Sequence, residues 1–89
     1  MDKNEVAQRV RSVIIETLEL DKPLENDDVK LVDDLQADSV DQISIIMAIE
    51  DEFEGDINDE VVQSIVTIGD VIEITWSELQ KKSVLDNDL

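Results

Sequence analysis

The stretch SVDQISIIMAIEDEF, residues 39–53, decides the fold, because it is the clearest helical segment of the chain. Ile45, Ile49 and Phe53 recur at intervals of four, which is the repeat of one face of an α-helix. Gly55 follows just beyond this segment and supplies a stop signal. We therefore predict a helix over residues 39–53 with one apolar face turned to the core.

The start of this segment has the residues of a helix cap. Asp38 or Ser39 can accept a hydrogen bond from the first turn, and Asp41 or Gln42 lies three positions later. Such a reciprocal pair forms a capping box, which satisfies backbone N–H groups that the helix leaves unpaired. Taken alone, Ser39 is therefore more simply interpreted as a capping residue than as a functional one.

Apolar spacing predicts three further helices. The first covers residues 3–20, and a short one covers residues 58–65. The last opens at Thr67 and Asp70, a second capping-box pair, and closes at Lys82, where cations favour a helix end.

Residues 21–38 break the helical pattern and contain the only proline, Pro23. Apolar residues within this long loop indicate that it is held against the core, and connections of this length are often functional. The β-branched residues 65–68 could form a strand, but a strand without a partner would be unstable. The sequence therefore predicts an all-α fold, a four-helix bundle with a long first loop and a short third helix, as a single domain over residues 1–82 followed by a frayed tail at 83–89.

The composition excludes several classes of function. The chain of 89 residues has no cysteine and no histidine, which removes thiol nucleophiles, histidine-based triads and the usual zinc sites. The absence of disulfides fits a reducing compartment. The chain start lacks a signal-peptide pattern and no apolar run could span a bilayer, so we expect a cytoplasmic protein without membrane insertion.

The chain is strongly acidic, with a formal net charge of -17. A surface this negative repels nucleic-acid phosphates and anionic lipids, so the expected partners are basic proteins or cations. Between Leu31 and Gln80 there is no lysine or arginine, and this stretch holds 14 of the 24 acidic residues. The helix over residues 39–53 and its flanks are therefore the negative pole of the molecule.

Residues 50–61 superficially resemble a calcium-binding EF-hand loop, with Gly55 at the sixth position. The twelfth position, which should be a bidentate glutamate, is Val61, and the first is Glu50 rather than aspartate. The first four residues also belong to the predicted helix. No metal site is predicted, and weak binding of divalent cations would follow from charge alone.

A second face of the helix over residues 39–53 mixes apolar and acidic groups. At about 100° per residue, Val40, Ile43, Met47, Glu50 and Asp51 share this face, away from the core face. It is either the edge of the core or a docking surface, and we favour docking, because apolar anchors ringed by charge suit transient partners.

The stretch LVDDLQADSVDQISIIMAIEDEFEGDINDE, residues 31–60, resembles the central part of an acyl carrier protein. The likeness rests on the acidic-Leu-x-Ala-Asp-Ser-aliphatic-Asp run, on Met-Ala-aliphatic followed by acidic residues and Phe53, and on Ile57 before an acidic turn. Residues 67–72 also resemble the start of the family's fourth helix, so the likeness covers about residues 3–80.

The resemblance implies that Ser39 receives 4'-phosphopantetheine from coenzyme A and that the thiol of this arm carries an acyl group as a thioester. The protein would be a non-catalytic, free-standing carrier of the fatty-acid type, and we expect a monomer. Its partners would be a phosphopantetheinyl transferase and basic-surfaced acyl-processing enzymes such as synthases and acyltransferases. The residues expected to recognise these partners are Asp38, Val40, Asp41, Met47, Glu50 and Asp51. The residues expected to line an acyl cleft are Ile49, Ile57, Val62, Ile65 and Val71.

Four positions depart from the residues common in that family. Gln36 stands where glycine is common, Ser44 where glutamate is common and Asn58 where proline is frequent, while Val40 is shorter than the usual leucine. These departures leave the resemblance to acyl carrier proteins intact, but the biosynthetic pathway that the protein serves stays open. The alternatives are a carrier for polyketide or nonribosomal peptide synthesis, and a small acidic calcium-responsive or inhibitory binding module in which Ser39 only caps the helix.

Overall fold

The computed structural model describes residues 2–24, 26–57 and 62–87, with the backbone alone for residues 81–87. Within these residues the secondary structure is helical, apart from turns and one isolated bridge. The helices are α1 (Lys3–Leu18), α2 (Ser39–Phe53) and α3 (Ile68–Asn87).

The all-α prediction is confirmed for the described residues, and α2 has the predicted bounds. Helix α1 ends at Leu18, two residues earlier than expected. Glu19 takes a left-handed conformation there with φ 52°, and the N–H of Leu20 reaches back to the carbonyl of Ile15 at 3.0 Å. This closed C-terminal turn ends the helix without a glycine.

Helix α3 continues to Asn87, beyond the expected end at Lys82. No glycine or proline follows Lys82 to stop it. Residues 58–61 of the predicted short helix over residues 58–65 lie outside the described residues, so the count of four helices stays a prediction. The division of the chain into a domain over residues 1–82 and a tail over 83–89 stays a prediction.

The core lies where the three helices and the long loop meet. Each helix contributes one apolar stripe, and the loop contributes a leucine. None of the helices within the described residues is both long and apolar enough to cross a bilayer. The largest fully buried side chains are Val6, Val10, Ile14, Leu31, Ile45, Ile49, Ile68 and Val71.

The long loop between α1 and α2 is fastened to the start of α3, as its apolar residues predicted. The N–H of Leu31 donates to the carbonyl of Val66 at 2.9 Å, beside a single antiparallel bridge that pairs Lys30 with Thr67. The β-branched residues 65–68 therefore do pair as a strand would, but only at this one bridge.

Asp27 is a second fastening point of the loop. Its carboxylate oxygen Oδ1 accepts hydrogen bonds from Nε and Nη2 of Arg11 in α1 at 3.0 and 2.8 Å. Its carbonyl accepts from the N–H of Gly69 in α3 at 2.9 Å. A Cβ atom on Gly69 would lie 3.3 Å from that carbonyl oxygen, so the close approach favours glycine. The segment leading to Ser39 is thus tied to both neighbouring helices.

Candidate functional site

Asp38, and not Ser39, caps α2. Its Oδ1 atom accepts from the N–H of Asp41 at 2.9 Å, and Oδ2 of Asp41 accepts from the N–H of Asp38 at 3.2 Å. The predicted capping box is therefore built from two carboxylates. The interpretation of Ser39 as the capping residue is wrong, because a carboxylate occupies that role.

Ser39 is the first residue of α2, and it is exposed. Its hydroxyl has no hydrogen bond to any residue that the structure describes. A phosphate ester on this oxygen would lie beside the N–H groups of the first turn, where the helix dipole favours an anion. The charges of Asp38 and Asp41 oppose this locally, and Asp38 already accepts from the N–H of Asp41. The exposure of Ser39 leaves room for a covalently attached phosphate-bearing group that extends into solvent.

The backbone ahead of Ser39 turns through a left-handed residue. Gln36 has φ 57°, a conformation that side chains with a Cβ atom disfavour and glycine adopts freely. The adjacent N–H of Ala37 donates to the carbonyl of Leu31 at 2.9 Å, and the Ala37 side chain is buried. The turn favours glycine at position 36, and glutamine occupies it here.

The apolar side chains on the second face of α2 are exposed. The side chains of Val40, Ile43 and Met47 are 69%, 54% and 62% exposed. These exposures exclude the alternative that they form the edge of the core. Asp51 is exposed on the same helix. We call this set of side chains, together with the predicted carboxylates, the outer face of α2.

No lysine or arginine side chain that the structure describes pairs with the carboxylates of the outer face. Among the described residues, Asp38, Asp41, Glu50 and Asp51 take part in no ion pair. The carboxylate of α2 that does pair is Glu52, whose Oε2 lies 3.3 Å from Nη1 of Arg9 in α1. The outer face therefore presents unneutralised negative charge around apolar side chains.

Glu50 has a structural contact that the sequence did not indicate. Its Oε2 atom accepts from the N–H of Ile57 at 2.9 Å, and its side chain is half-buried. This bond holds the loop that follows α2 against the end of the helix. The spacing of seven residues across a glycine is not a recognised capping pattern, so nothing in the sequence marked it.

A cavity of about 450 Å³ opens between the C-terminal half of α2, the loop after it and α3. Ile49 and Ile57 of the predicted cleft line it. The sequence did not single out the other lining residues as a group, because they come from three separate segments. Its remaining apolar lining comes from Phe53 and Leu79, and its polar lining from Thr75, Glu50, Glu54, Asp56 and Glu78.

The other predicted cleft residues lie elsewhere in the core region. Ile65 and Val71 are buried, and Val62 is partly buried against the same cluster. They do not line the cavity. An acyl cleft formed by all five predicted residues stays a prediction.

The start of α3 has the second predicted capping box. Oγ1 of Thr67 accepts from the N–H of Asp70 at 3.2 Å, and Oδ2 of Asp70 accepts from the N–H groups of Thr67 and Val66 at 3.0 and 2.9 Å. The backbone hydrogen bond from Thr67, followed by that from Val66, lowers the pKa of the Asp70 carboxyl below its ordinary value of 3.8.

The stretch that resembles an EF-hand is partly helical. Its first four residues complete α2, which ends at Phe53. Residues 58–61 lie outside the described part of the chain. In the part that is described, no group of three or more carboxylates is arranged to hold a metal ion.

Comparison with known proteins gives consistent matches. Residues 8–74 match a family model described as a phosphopantetheine attachment site. The acyl carrier protein of Phenylobacterium zucineum is 36% identical over 76 residues, which cover 85% of this chain and 96% of that protein. The acyl carrier protein AcpP of Rhizobium meliloti is 36% identical over 70 residues, 79% of this chain and 90% of that protein. The fold is similar to the solved structure of an acyl carrier protein from Enterococcus faecalis, with a TM-score of 0.70, 31% identity, and coverage of 88% of this chain and 99% of that one.

Proposed function

The chain belongs to the acyl carrier protein family and so carries 4'-phosphopantetheine, and from this premise we propose that Ser39 is the attachment residue and that the protein carries acyl intermediates of fatty acid biosynthesis. The observation that supports this assignment best is the exposed Ser39 hydroxyl, which is not needed as a cap because Asp38 caps the helix. Family membership argues against a calcium-responsive module.

The residues around Ser39 support attachment without performing catalysis. The capping box of Asp38 and Asp41 keeps the first turn of α2 intact while the Ser39 Oγ–H bond is exchanged for an Oγ–P bond, as the pyrophosphate P–O bond of coenzyme A breaks and its nucleotide part leaves. The loop anchored by Leu31 and Ala37 fixes the direction from which the chain enters the helix. When bound, the group supplies a thiol that holds an acyl group as a thioester. The protein itself is proposed to act as a cytoplasmic, monomeric carrier, with a phosphopantetheinyl transferase doing the chemistry.

The outer face of α2 is the proposed docking surface for that transferase and for acyl-processing enzymes. Val40 and Met47 would insert into apolar depressions of the partner, and Asp38, Asp41 and Asp51 would face its basic side chains. Support comes from the exposure of the apolar side chains and from the lack of ion pairs at these carboxylates among the described residues. A basic partner would remove a repulsion that the free protein cannot relieve itself.

Ser39→Ala tests the attachment residue. Incubation with coenzyme A and a phosphopantetheinyl transferase should add one arm to the wild type and none to Ser39→Ala, as intact mass shows. Ser44→Ala, an exposed serine of the same helix, is the matched control and should gain the arm. Because Asp38 makes the cap, Ser39→Ala should change the free energy of unfolding by less than the roughly 1 kcal/mol that a lost cap costs. A gain in mass by Ser39→Ala would refute the assignment.

A further inference from the structure

We propose that Val32 and Val66 form a second docking patch, and that the basic-surfaced enzyme that modifies Ser39 covers it together with the outer face of α2. We call these two valines the loop patch. The inference rests on the proposed function, because it concerns the enzyme that acts at Ser39. It adds residues outside α2 to the surface that this enzyme recognises.

The two valines of the loop patch are exposed although each follows a buried residue. Val32 and Val66 are both 54% exposed, whereas Leu31 and Ile65 before them are 2% and 8% exposed. In the described part of the chain, the other large apolar side chains that are exposed are the three on the outer face of α2. Single apolar residues are common on protein surfaces, so the position of these two carries the argument.

Backbone hydrogen bonds place both valines beside the segment that enters α2. The N–H of Gln36 donates to the carbonyl of Val32 at 3.1 Å. The N–H of Leu31 donates to the carbonyl of Val66 at 2.9 Å, and the carbonyl of Leu31 accepts from the N–H of Ala37 at 2.9 Å. One hydrogen bond therefore links Val32 to this segment, and two link Val66 to it.

The size of a protein interface decides whether a partner centred on Ser39 reaches the loop patch. A specific interface covers about 800 Å² of each partner, which corresponds to a disc of about 16 Å radius. Gln36 is three residues from Ser39 and so at most about 11 Å away. The carbonyl of Val32, 3.1 Å from the Gln36 nitrogen, lies inside that radius. Met47, the far anchor of the outer face, is about 12 Å from Ser39 along the helix axis. One partner can therefore reach both surfaces.

The charges around the loop patch favour a basic partner over a second copy of this chain. Asp33 directly follows Val32, its side chain is 72% exposed, and its carboxylate lies 4.0 Å from Nζ of Lys30. Asp34 is exposed as well. A second copy would bring a further net charge of -17 to this surface, and two half-exposed valines are too small to hold a stable dimer. A partner with basic side chains meets these carboxylates favourably.

The reaction at Ser39 requires closer docking than the reactions at the end of the arm. The transferase must bring the Ser39 Oγ atom itself to the phosphorus of coenzyme A, and a misplacement of about 1 Å can cost about a hundred-fold in rate. An enzyme that acts on the thiol receives a group at the end of a flexible arm, which tolerates small shifts of the carrier. The loop patch, as a second set of anchors, should therefore affect arm transfer more than acyl transfer to the thiol.

Val32→Ser and Val66→Ser test the loop patch. Intact mass first establishes that the wild type gains one arm, so a failure of the proposed function is seen before the variants are compared. Each variant should lower kcat/KM for arm transfer by about 3–10-fold, because half-exposed valines lose part of their burial in the complex. Once loaded completely by excess transferase, both variants should accept an acyl group from an acyl-coenzyme A, through an acyltransferase, at the wild-type rate.

Two controls bracket this result. Ile43→Ser on the outer face should slow both reactions, and Gln8→Ser on the exposed side of α1 should slow neither. If a serine variant of the loop patch does not fold, NMR of the wild type replaces it, and the transferase should perturb the methyl groups of Val32 and Val66 more than the acyltransferase does.

Four outcomes would overturn the proposal. Arm transfer at the wild-type rate in both variants would show that the transferase does not touch the loop patch, and equal slowing of both reactions would remove its selectivity. A melting shift on arm attachment that Val32→Ser abolishes would assign the patch to the arm itself. A dimer that either variant dissociates would assign it to a second copy of the chain.

Discussion

Gln36 holds a backbone conformation with φ 57° immediately before the capping box of α2. A side chain costs about 1 kcal/mol there, whereas glycine is free of that penalty but loses more chain entropy on folding. We expect Gln36→Gly to raise the free energy of unfolding by up to about 1 kcal/mol, measured by urea denaturation. Gln8→Gly, on the exposed side of α1, should lower it by about 1 kcal/mol. Equal losses in both variants would show that position 36 is not strained.

Asp70 makes the stability of the fold depend on acid pH. Hydrogen bonds from the N–H groups of Thr67 and Val66 lower its folded pKa, so its contribution is fully present above the unfolded value near 3.8 and is lost as pH falls through the folded pKa. Asp70→Asn should be less stable than the wild type at neutral pH, and the gap should narrow below about pH 4. Denaturant titrations at a series of pH values measure it. A gap between Asp70→Asn and the wild type that stays constant across this pH range would contradict the prediction.

Single residues also mark the limit of the sequence-based site prediction. Either Asp38 or Ser39 could have formed the cap, since aspartate and serine are equally good capping residues. The choice depended on the entry of the loop, which buries Ala37 and sets the Asp38 backbone in an extended conformation.

At the scale of elements, α2 was the most predictable part of the fold because its boundary signals are local. The carboxylates of its cap and Gly55 after its end lie within a few residues of the helix. The bridge between Lys30 and Thr67 depends on a pairing of distant segments, which no local pattern reports. The end of α1 at Leu18 was missed for a different reason. The left-handed turn after it is made by Glu19, and only a glycine there would have signalled a helix end.

The outer face of α2 combines docking charges with structural ones. Asp38 and Asp41 form the cap, and Glu50 holds the N–H of Ile57, so reversing any of them would disturb the fold as well. Asp51 is exposed and has no such contact among the described residues, which makes it the cleanest probe. A charge reversal at Asp51 therefore tests docking without also disturbing a structural contact.

Asp51→Lys should slow association with the transferase by about 2–5-fold at low salt, the size expected for one exposed ion pair. Its association rate should also depend less on ionic strength than that of the wild type. Asp21→Lys, an exposed position in the loop after α1, makes the same charge change outside the outer face and should have a smaller effect. Identical salt slopes for Asp51→Lys and the wild type would show that this face does not meet the partner.

Met47→Ala should instead speed dissociation from the same partner. Its side chain is 62% exposed in the free protein, so truncation leaves the core intact but removes an apolar anchor from the complex. Because the long-range field is unchanged, the association rate should stay within the range of the wild type. Stopped-flow measurement of both rate constants decides this, and an unchanged dissociation rate would remove Met47 from the docking surface.

At the scale of the whole molecule, α1 is the cationic element that joins the others. Lys3 pairs with Glu73 of α3, Arg9 with Glu52 of α2, and Arg11 with Asp27 of the loop. These pairs are mostly exposed, and each contributes about 0.2–1 kcal/mol. These attractions are opposed by the mutual repulsion of the excess negative charges, since the net charge is -17.

Salt weakens both the attractions and the repulsion, and their sizes decide which change dominates. Two like charges about 20 Å apart in water repel by only about 0.2 kcal/mol, but an excess of 17 charges makes about 140 such pairs. The unfolded chain relieves much of this repulsion by separating the charges. Raising the ionic strength from 0.01 to 0.15 M shortens the screening length from about 30 to about 8 Å, below the radius of gyration of 12.8 Å. The repulsion across the molecule is then screened, whereas contacts such as Arg11–Asp27, at 2.8 Å, are affected less.

Added sodium chloride should therefore raise the melting temperature, by about 4–8 °C for each 1 kcal/mol of repulsion relieved. Thermal unfolding followed by circular dichroism at increasing salt measures the shift. Asp21→Asn combined with Asp51→Asn removes two negative charges and leaves the ion pairs of α1 in place. This variant should therefore melt at a higher temperature at low salt, and its melting temperature should respond less to added salt. A melting temperature that falls with salt would mean that the ion pairs of α1 outweigh the charge excess. In that case the negative charge of α2 would cost the free protein little, and its proposed relief by a basic partner would lose its physical basis.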